Sequence, residues 1–303
     1  MVDLNSLSTE KNNRNSKNIE LMSTFEILKK INEEDKKVAF CVEKVVDKIG
    51  LLIDGILSKY TDKTRIIYIG SGTSGRLGIL DASECPPTYG VDYDKFKGLI
   101  SGGNTAIFKA IENAEDNYEL GEQDLKAINL TKNDVVIGLT ASGRTPYVIG
   151  AIKYANSIGA LTGSITCSEN SELSKISEYP IEVIVGAEIV TGSTRMKAGT
   201  AQKMILNMIS STIMIKQGKV YSGYMVDVKT SNEKLIERAK RIIQNTTGCD
   251  YETADKYLKL ADLETKLAIV MYLTKMDKKS AIEELKRYDD NIARVIHEFT
   301  DKD

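Results

Sequence analysis

Histidine is almost absent from this sequence, and its scarcity limits the acid–base chemistry that the chain can perform. His297 is the one histidine, and it lies near the end of the sequence in an amphipathic segment. Because a histidine without a second functional group beside it is a weak catalytic signal, we expect a structural role for it. Acid–base work then falls to Glu, Asp, Lys, Tyr or Cys.

Cysteine is also scarce. The four thiols are far apart in sequence and match no metal-ligand spacing: Cys41, Cys85, Cys167 and Cys249. Reduced thiols of a cytoplasmic protein are therefore the expectation, with no metal site.

No segment carries an excess of positive charge, and no segment is apolar enough to enter a bilayer. The chain has 41 basic and 43 acidic residues, which excludes nucleic acid as a partner on charge alone. The uncharged run at 204–215 contains Asn and Ser and is too short to span a membrane. The polar N-terminus predicts no signal peptide.

The middle of the chain alternates between short apolar runs and helical patterns. The candidate strands are 65–70, 97–101, 133–140, 161–166 and 181–186. The helical patterns between and after them are at 75–84, 104–120, 145–158, 170–176 and 194–216. This alternation predicts a parallel sheet covered by helices, with ligands bound at the carboxyl ends of the strands.

Helical signals dominate both ends of the chain. A polar arm is followed by one long amphipathic helix over 24–60, and its apolar residues share a face: Val38, Cys41, Val42, Val45, Ile49, Leu52, Ile53 and Ile56. That face predicts packing on the core or on a second subunit. After Gly223 the strand signals stop, and 231–300 predicts four or five short helices. We therefore expect domains at 1–60, 61–225 and 226–303.

Two loops rich in glycine and hydroxyl groups follow predicted strands. GSGTSG at 70–75 matches G-x-G-x-x-G, but the second strand ends without an acidic residue for a ribose. In TASGRTP at 140–146, Thr145 is a good N-cap and Pro146 suits the first helical position. Hydroxyl groups beside helix N-termini favour a terminal phosphate over a dinucleotide.

The candidate phosphate ligands are the hydroxyl side chains of the two loops: Ser71, Thr73, Ser74, Ser142 and Thr145. Further candidates are Arg144, Ser193, Arg195 and Lys197. A structural ion pair is the alternative for Arg144, and helix-surface charge is the alternative for Arg195 and Lys197.

These loops resemble the sugar isomerase (SIS) domain, which binds phosphosugars. GAEIVTGSTRMKAGTAQK at 186–203 resembles a signature shared by N-acetylmuramic acid 6-phosphate etherases and the glucokinase regulatory protein. SECPPT at 83–88, ASGRTPY at 141–147 and INEED at 31–35 are similar to the etherases. The resemblance covers essentially the whole chain. It implies an α/β fold, flavodoxin-like in three layers, with a five-stranded mostly parallel sheet and a small UBA-like helical domain.

The N-terminal arm departs from the etherase pattern. In the stretch that starts at Thr9 and Glu10, Asn12 replaces Arg and Arg14 replaces Pro, and farther on Glu20 replaces Asp. Any family role of the arm in substrate contact or dimer closure therefore does not carry over at these three positions.

The resemblance implies a lyase that cleaves the C3 lactyl ether of N-acetylmuramic acid 6-phosphate by elimination and hydration. The products are N-acetylglucosamine 6-phosphate and D-lactate, in amino-sugar catabolism and peptidoglycan recycling. The reaction needs neither a metal nor a redox cofactor. The resemblance also implies a homodimer with sites near the subunit interface.

The family's two catalytic carboxylates fall on Glu84 and Glu115. Glu84 is expected at the end of the first helix, where the dipole and partial burial favour protonation, so we assign it as the acid. Glu115, on the predicted helix 104–120, is assigned as the base, although the roles are interchangeable. Without the resemblance, the sequence favours solvent-exposed acidic side chains without a catalytic role at both positions.

Two other functions fit the same loops. One is a non-catalytic phosphosugar-binding regulator, like the glucokinase regulatory protein. The other is an aldose–ketose phosphosugar isomerase, which abstracts a similar proton but leaves the ether intact.

Overall fold

The structure, a computed structural model, describes residues 11–228, 230 and 232–300. The chain divides into two compact units. The first contains Asp92–Ile209 and the residues up to Glu84, and the second contains Cys85–Val91 and the residues from Ser210 onward. The domain boundaries at 60 and 225 stay a prediction. Thr9 and Glu10 of the arm lie outside the described residues.

The first unit contains the predicted five-stranded parallel sheet. Its strands are β1 (Ile66–Gly70), β2 (Phe96–Ile100), β3 (Val135–Leu139), β4 (Leu161–Thr166) and β5 (Tyr179–Glu182). Their order is β2-β1-β3-β4-β5, and every neighbouring pair is parallel. All residues of β1, β3 and β4 are buried, as strands covered on both faces must be.

The fifth strand begins and ends earlier than the predicted 181–186. It starts at Tyr179 and contains Pro180, which an edge strand tolerates. It stops at Glu182, whose carboxylate accepts hydrogen bonds from the backbone N–H groups of Asn170 and Ser171.

Eight helices begin among the described residues of the first unit. They are α1 (Thr24–Glu43), α2 (Val46–Lys59), α3 (Gly72–Tyr89), α4 (Thr105–Phe108), α5 (Tyr118–Ala127), α6 (Pro146–Ile158), α7 (Glu172–Ile176) and α8 (Lys197–Lys216). The prediction of one helix over 24–60 was wrong, because the chain breaks at Lys44 and Val45. The prediction of a shared apolar face is confirmed. Most of its residues are buried, and α2 packs against β4 and β5.

Helices α5 and α6 cross at a pair of glycines. A Cβ on Gly150 would lie 2.1 Å from the backbone oxygen of Tyr118, and one on Gly121 would lie 2.0 Å from that of Tyr147. Only glycine permits this approach, so the crossing fixes where α5 begins.

Five short helices begin among the described residues of the second unit, within the predicted four or five: α9 (Glu233–Thr247), α10 (Tyr251–Leu260), α11 (Thr265–Thr274), α12 (Lys278–Arg287) and α13 (Ile292–Thr300). Most of α11 is buried among the other helices. His297 lies on α13 and is exposed. No helix within the described ranges is both long and apolar enough to cross a membrane.

The prediction that no strand follows Gly223 was wrong, because a short β-hairpin is centred near this residue. Two short antiparallel strands, β6 (Val220–Tyr221) and β7 (Tyr224–Met225), flank a turn. Both turn residues, Ser222 and Gly223, have positive φ, at 49° and 79°. This is the backbone of a two-residue hairpin turn, and serine at a positive-φ position gives a weak sequence signal for it.

Candidate active site

The register of the sheet brings three loops to one edge. Gly70, the last residue of β1, pairs with Ile100 of β2 and with Leu139 of β3. Because paired strands lie about 5 Å apart, the loops that start at Ser71, Ser101 and Thr140 lie side by side. The sequence predicted this meeting for the first and third of these loops.

The first loop runs directly into α3 and forms a compact cradle. Gly72 has a φ of +53°, and a Cβ on Gly75 would lie 2.7 Å from the carbonyl oxygen of Gly70. The hydroxyl oxygen of Ser71 is buried and has no hydrogen-bond partner. Such a buried, unpaired hydroxyl beside a helix N-terminus is suited to an anion.

Ser74 and Thr73 face helix α8. The Ser74 hydroxyl donates a hydrogen bond of 2.9 Å to Oε1 of Gln202. A Cβ on Gly199 would be in ordinary contact, at 3.4 Å, with the methyl group of Thr73. The first two turns of α8 therefore pack against the Thr73 and Ser74 side chains of the cradle.

A cavity of about 230 Å³ joins the cradle to Glu115. Its lining includes Gly72 and Arg76 of α3, Ser101 at the end of β2, and the carboxylic acids Glu112 and Glu115. One cavity is therefore lined by Gly72 of the glycine-rich turn and by the carboxylic acid Glu115.

Glu115 does not lie on a long helix, so the prediction of a helix over 104–120 was wrong. It lies in a 3₁₀ turn, Ala114–Asp116, between α4 and α5. Asn113 enters this turn with a φ of 62°, and the Asn117 side chain caps α5 by accepting from the N–H groups of Glu119 and Leu120. The helical spacing of like charges around Glu115 is therefore not present.

Glu84 lies inside α3 rather than at its end. The helix continues through Pro86 and Pro87 to Tyr89, and Pro86 is buried, so packing holds this turn despite the missing N–H groups. Glu84 is exposed, so the predicted partial burial of its side chain was wrong. It does not line the cavity, and at about 1.5 Å per residue it lies about 18 Å beyond Gly72 along the helix axis.

The second loop forms its own network of hydroxyl groups. Thr140 is hydrogen-bonded to Thr145 at 2.7 Å and to Ser142 at 3.3 Å. Thr145 and Pro146 take the predicted N-cap and first helical positions of α6. The Thr145 side chain makes no capping bond, because its hydroxyl is engaged with Thr140. Arg144 is exposed, and none of these residues lines the cavity.

The signature segment at 186–203 contacts the interior of the protein. Glu188 is fully buried and accepts hydrogen bonds from the backbone N–H groups of Lys197 and Ala198, at the start of α8. The Lys197 ammonium is 2.7 Å from the carboxylate of Glu34, and both side chains are 3% exposed. Lys197 is therefore not a helix-surface charge; its ammonium is committed to Glu34.

Ser193 and Arg195 lie in the turns before α8. Ser193 is half-buried and its N–H donates to the carbonyl of Val190, while Arg195 is exposed. Neither residue lines the cavity. As substrate ligands they stay predictions.

The N-terminal arm packs on the same segment. The Asn13 amide donates to the carbonyl of Ala187, and the Thr191 hydroxyl donates to the side chain of Asn12. Asn12 is one of the positions at which the arm departs from the etherase pattern. The hydrogen bond from Thr191 is therefore accepted by a side chain that this pattern does not contain.

Cys167 directly follows β4 and is buried. Burial, with smaller effects from Glu188 and Cys41, raises its pKa. The side chain is therefore a neutral thiol with a packing role.

Sequence reasoning missed three residues around the cradle: Arg76, Ser101 and Gln202. Arg76 donates to the carbonyls of Ala106 and Ile107 and so fixes α4 beside the cavity. Arg76 could have been predicted near the site, because it lies one helical turn after Gly72. Gln202 lay inside the signature segment, but only the fold shows that it meets Ser74.

A larger cavity, of about 610 Å³, lies along the edge strand β5. Its lining includes Lys44, Lys48 and Lys175 together with Glu178 and Glu182. It contains none of the predicted site residues and does not lie at the ends of the central strands.

Comparisons with known proteins agree with this geometry. Residues 48–156 match the family described as the glucokinase regulatory protein N-terminal SIS domain, and residues 107–211 match the SIS domain. The chain is 58% identical over 293 residues to an N-acetylmuramic acid 6-phosphate etherase of Clostridium botulinum strain Eklund 17B, covering 97% of each chain. It is 53% identical to the etherase of Clostridium beijerinckii, covering 99% of each.

Among solved structures, a phosphoheptose isomerase from Francisella tularensis is similar, with a TM-score of 0.50 and 14% sequence identity. The similarity covers 64% of this chain and 100% of that one. At this identity the likeness shows the fold alone.

Proposed function

The chain belongs to the N-acetylmuramic acid 6-phosphate etherase family, and we propose that it hydrolyses the C3 lactyl ether of that sugar phosphate. The products are N-acetylglucosamine 6-phosphate and D-lactate. The observation that carries the proposal is the cavity that Gly72 of the cradle shares with Glu115.

In this proposal the first loop binds the phosphate. Ser71 offers an unpaired buried hydroxyl, and Thr73 and Ser74 flank it at the start of α3. Ser142 and Thr145, in the loop that follows the neighbouring strand β3, are proposed to add hydroxyl groups. We leave Lys197 out of the phosphate site, because its ammonium is bonded to Glu34.

Glu115 is proposed as the base of the elimination step. The open-chain aldehyde makes the C2 proton acidic, and the Glu115 carboxylate removes it. The C2–H electrons form a double bond to C3 while the C3–O bond breaks. The departing lactate oxygen takes a proton from an acid, and water then adds to the double bond at C3.

Glu84 is proposed as that acid, supplied in a homodimer with the site near the subunit interface. Two observations support the need for a second chain. Glu84 is exposed and lies far along α3 from the cavity of its own chain. The cavity, at about 230 Å³, is smaller than the ~300–1,000 Å³ of most ligand pockets.

Two exposed apolar side chains lie on elements that contribute to the cavity. Leu80, one helical turn before Glu84, is 50% exposed, and Phe108, next to the carbonyls that Arg76 holds, is 86% exposed. Large apolar residues in such positions fit a covered interface.

The proposal makes the protein a carbon–oxygen lyase of amino-sugar catabolism and peptidoglycan recycling in the cytoplasm. The route from substrate to products uses carboxylates and bound phosphate, with neither a metal nor a redox cofactor.

The decisive experiment supplies N-acetylmuramic acid 6-phosphate in D₂O and measures D-lactate and deuterium at C2 of the product. We expect stoichiometric lactate and one deuterium at C2. Glu115→Gln should abolish both, because no base remains. Glu84→Gln should reduce lactate release more than C2 exchange. Glu119→Gln, exposed on α5, is the matched control and should keep wild-type rates.

Binding of the sugar phosphate without lactate release would contradict the proposal and favour a phosphosugar-binding regulator. Interconversion of an aldose phosphate with its ketose, with the ether intact, would favour an isomerase. Equal losses of lactate and exchange in both Gln variants would overturn the division of roles.

A further inference from the structure

Gln202 is a buried amide that is half paired. It is 1% exposed on α8, and its Oε1 accepts the hydrogen bond from Ser74. Its Nε2 is buried and has no hydrogen-bond partner. Because the two atoms of one amide group are neighbours, the unpaired donors also lie beside Ser74.

Buried donors without partners are rare, since nearly all such groups in folded proteins are satisfied. Two occur at this cradle, the Ser71 hydroxyl and the Gln202 amide N–H groups. Ser71 directly precedes α3, and the Gln202 amide is bonded to Ser74 in the first turn of that helix, where backbone N–H groups favour an anion. A ligand with several acceptor oxygens satisfies both donors together.

We propose that Gln202 belongs to the phosphate site, where its carbonyl oxygen orients Ser74 and its amide N–H groups donate to the phosphate. This rests on the proposed function only in taking a sugar phosphate as the ligand. Glutamine suits the position because it provides an acceptor for Ser74 and donors for the anion without adding charge.

The surroundings of α8 hold this amide in place. The buried carboxylate of Glu188 caps the start of the helix, and Lys197 is paired with Glu34. Gly199, one turn before Gln202, lets the helix approach Thr73. The signature segment therefore acts as a support that places Gln202 against the cradle.

The test measures binding rather than catalysis. Isothermal titration calorimetry with inorganic phosphate and with N-acetylglucosamine 6-phosphate compares wild type, Gln202→Glu and Gln202→Met. Gln202→Glu keeps the shape and the acceptor for Ser74 but replaces the N–H donors with negative charge. We expect it to weaken both ligands by more than about 100-fold, because the variant loses a hydrogen bond to a charged group and adds repulsion between two negative charges.

Gln202→Met removes donors and acceptor without adding charge, and we expect a smaller loss, about 10- to 100-fold, from the missing hydrogen bond alone. Gln123→Glu, at an exposed position of α5, adds the same charge elsewhere and should leave the affinities unchanged. The deficit of Gln202→Glu should shrink from pH 7.5 to pH 5.5, because a phosphate monoester with a second pKa of about 6 loses one negative charge. In turnover, KM should rise while kcat is kept.

A purely structural role predicts a different pattern. Equal affinity losses in the Glu and Met variants, with equal drops in melting temperature and no pH dependence, would overturn the proposal. Unchanged phosphate affinity in Gln202→Glu would also overturn it. Wild-type protein that binds the sugar phosphate but releases no lactate would contradict the etherase function and leave this inference intact.

Discussion

At the scale of single residues, the ion pair of Glu34 and Lys197 is the most consequential contact of the first unit. Burial alone would raise the pKa of Glu34, but hydrogen bonds from Lys197, Lys37, Asn15 and Asn13 lower it from 4.5 to about 2. The carboxylate thus ties the arm, α1 and the start of α8 together. INEED at 31–35, seen in sequence only as a family motif, contains this residue.

Glu34→Gln should destabilise the protein by about 3 kcal/mol at pH 7, because it leaves the buried Lys197 ammonium without its counter-charge. The depressed pKa stabilises the fold fully above pH of about 5, and the effect is lost as pH falls toward about 2. Urea denaturation of wild type and variant should therefore converge over that interval.

Lys37→Gln is the control for this pair, since Lys37 contacts the same carboxylate from a half-exposed position. Its cost should stay below about 1 kcal/mol. A difference between wild type and Glu34→Gln that was as large at pH 2 as at pH 7 would contradict the electrostatic explanation.

At the scale of elements, the sequence predicted all five sheet strands and most helices. Buried strands such as β1 and β3 are recognisable because every residue must be apolar or small. Interruptions of helices were harder to predict. The turn around Glu115 depends on Asn113 at positive φ and on the Asn117 cap, and both are also compatible with a continuous helix.

The crossing of α5 and α6 gives a test of how Glu115 is positioned. Gly150→Ala would place a Cβ against the backbone of Tyr118, the first residue of α5, and should cost about 1–3 kcal/mol. Because α5 starts two residues after Glu115's turn, kcat for lactate release should fall as well, while phosphate binding is retained.

Gly50→Ala is the matched control for this crossing, because a Cβ there meets nothing within 4 Å. In the interior of α2 it should stabilise the protein by about 0.5–1 kcal/mol and leave kcat unchanged. Equal kinetics in Gly150→Ala and wild type would show that α5 does not position the base.

At the scale of the whole molecule, the two predicted catalytic carboxylates were not brought together by one chain. Glu115 lines the cavity and Glu84 does not. The sequence motifs indicated the two carboxylates, but not how far apart they lie in the fold. The distance of Glu84 from the cavity follows from the length of α3. The sequence predicted that this helix ends at residue 84, so the distance could not be predicted.

Mixed dimers test whether two chains share one site. Glu84→Gln and Glu115→Gln subunits, carrying different affinity tags, are co-expressed and the heterodimer is purified through both tags. If each site takes its carboxylates from two chains, one site is intact and activity is about half that of wild type. If each site uses one chain, the heterodimer is inactive.

Phe108 offers a position for a fluorescent probe. It is 86% exposed at the end of α4, whose carbonyls are held by Arg76 beside the cavity. The sequence contains no tryptophan, so its fluorescence comes mainly from tyrosine. A Phe108→Trp substitution would therefore place one selectively excitable indole beside the cavity, and its emission would report ligand arrival and subunit association without background.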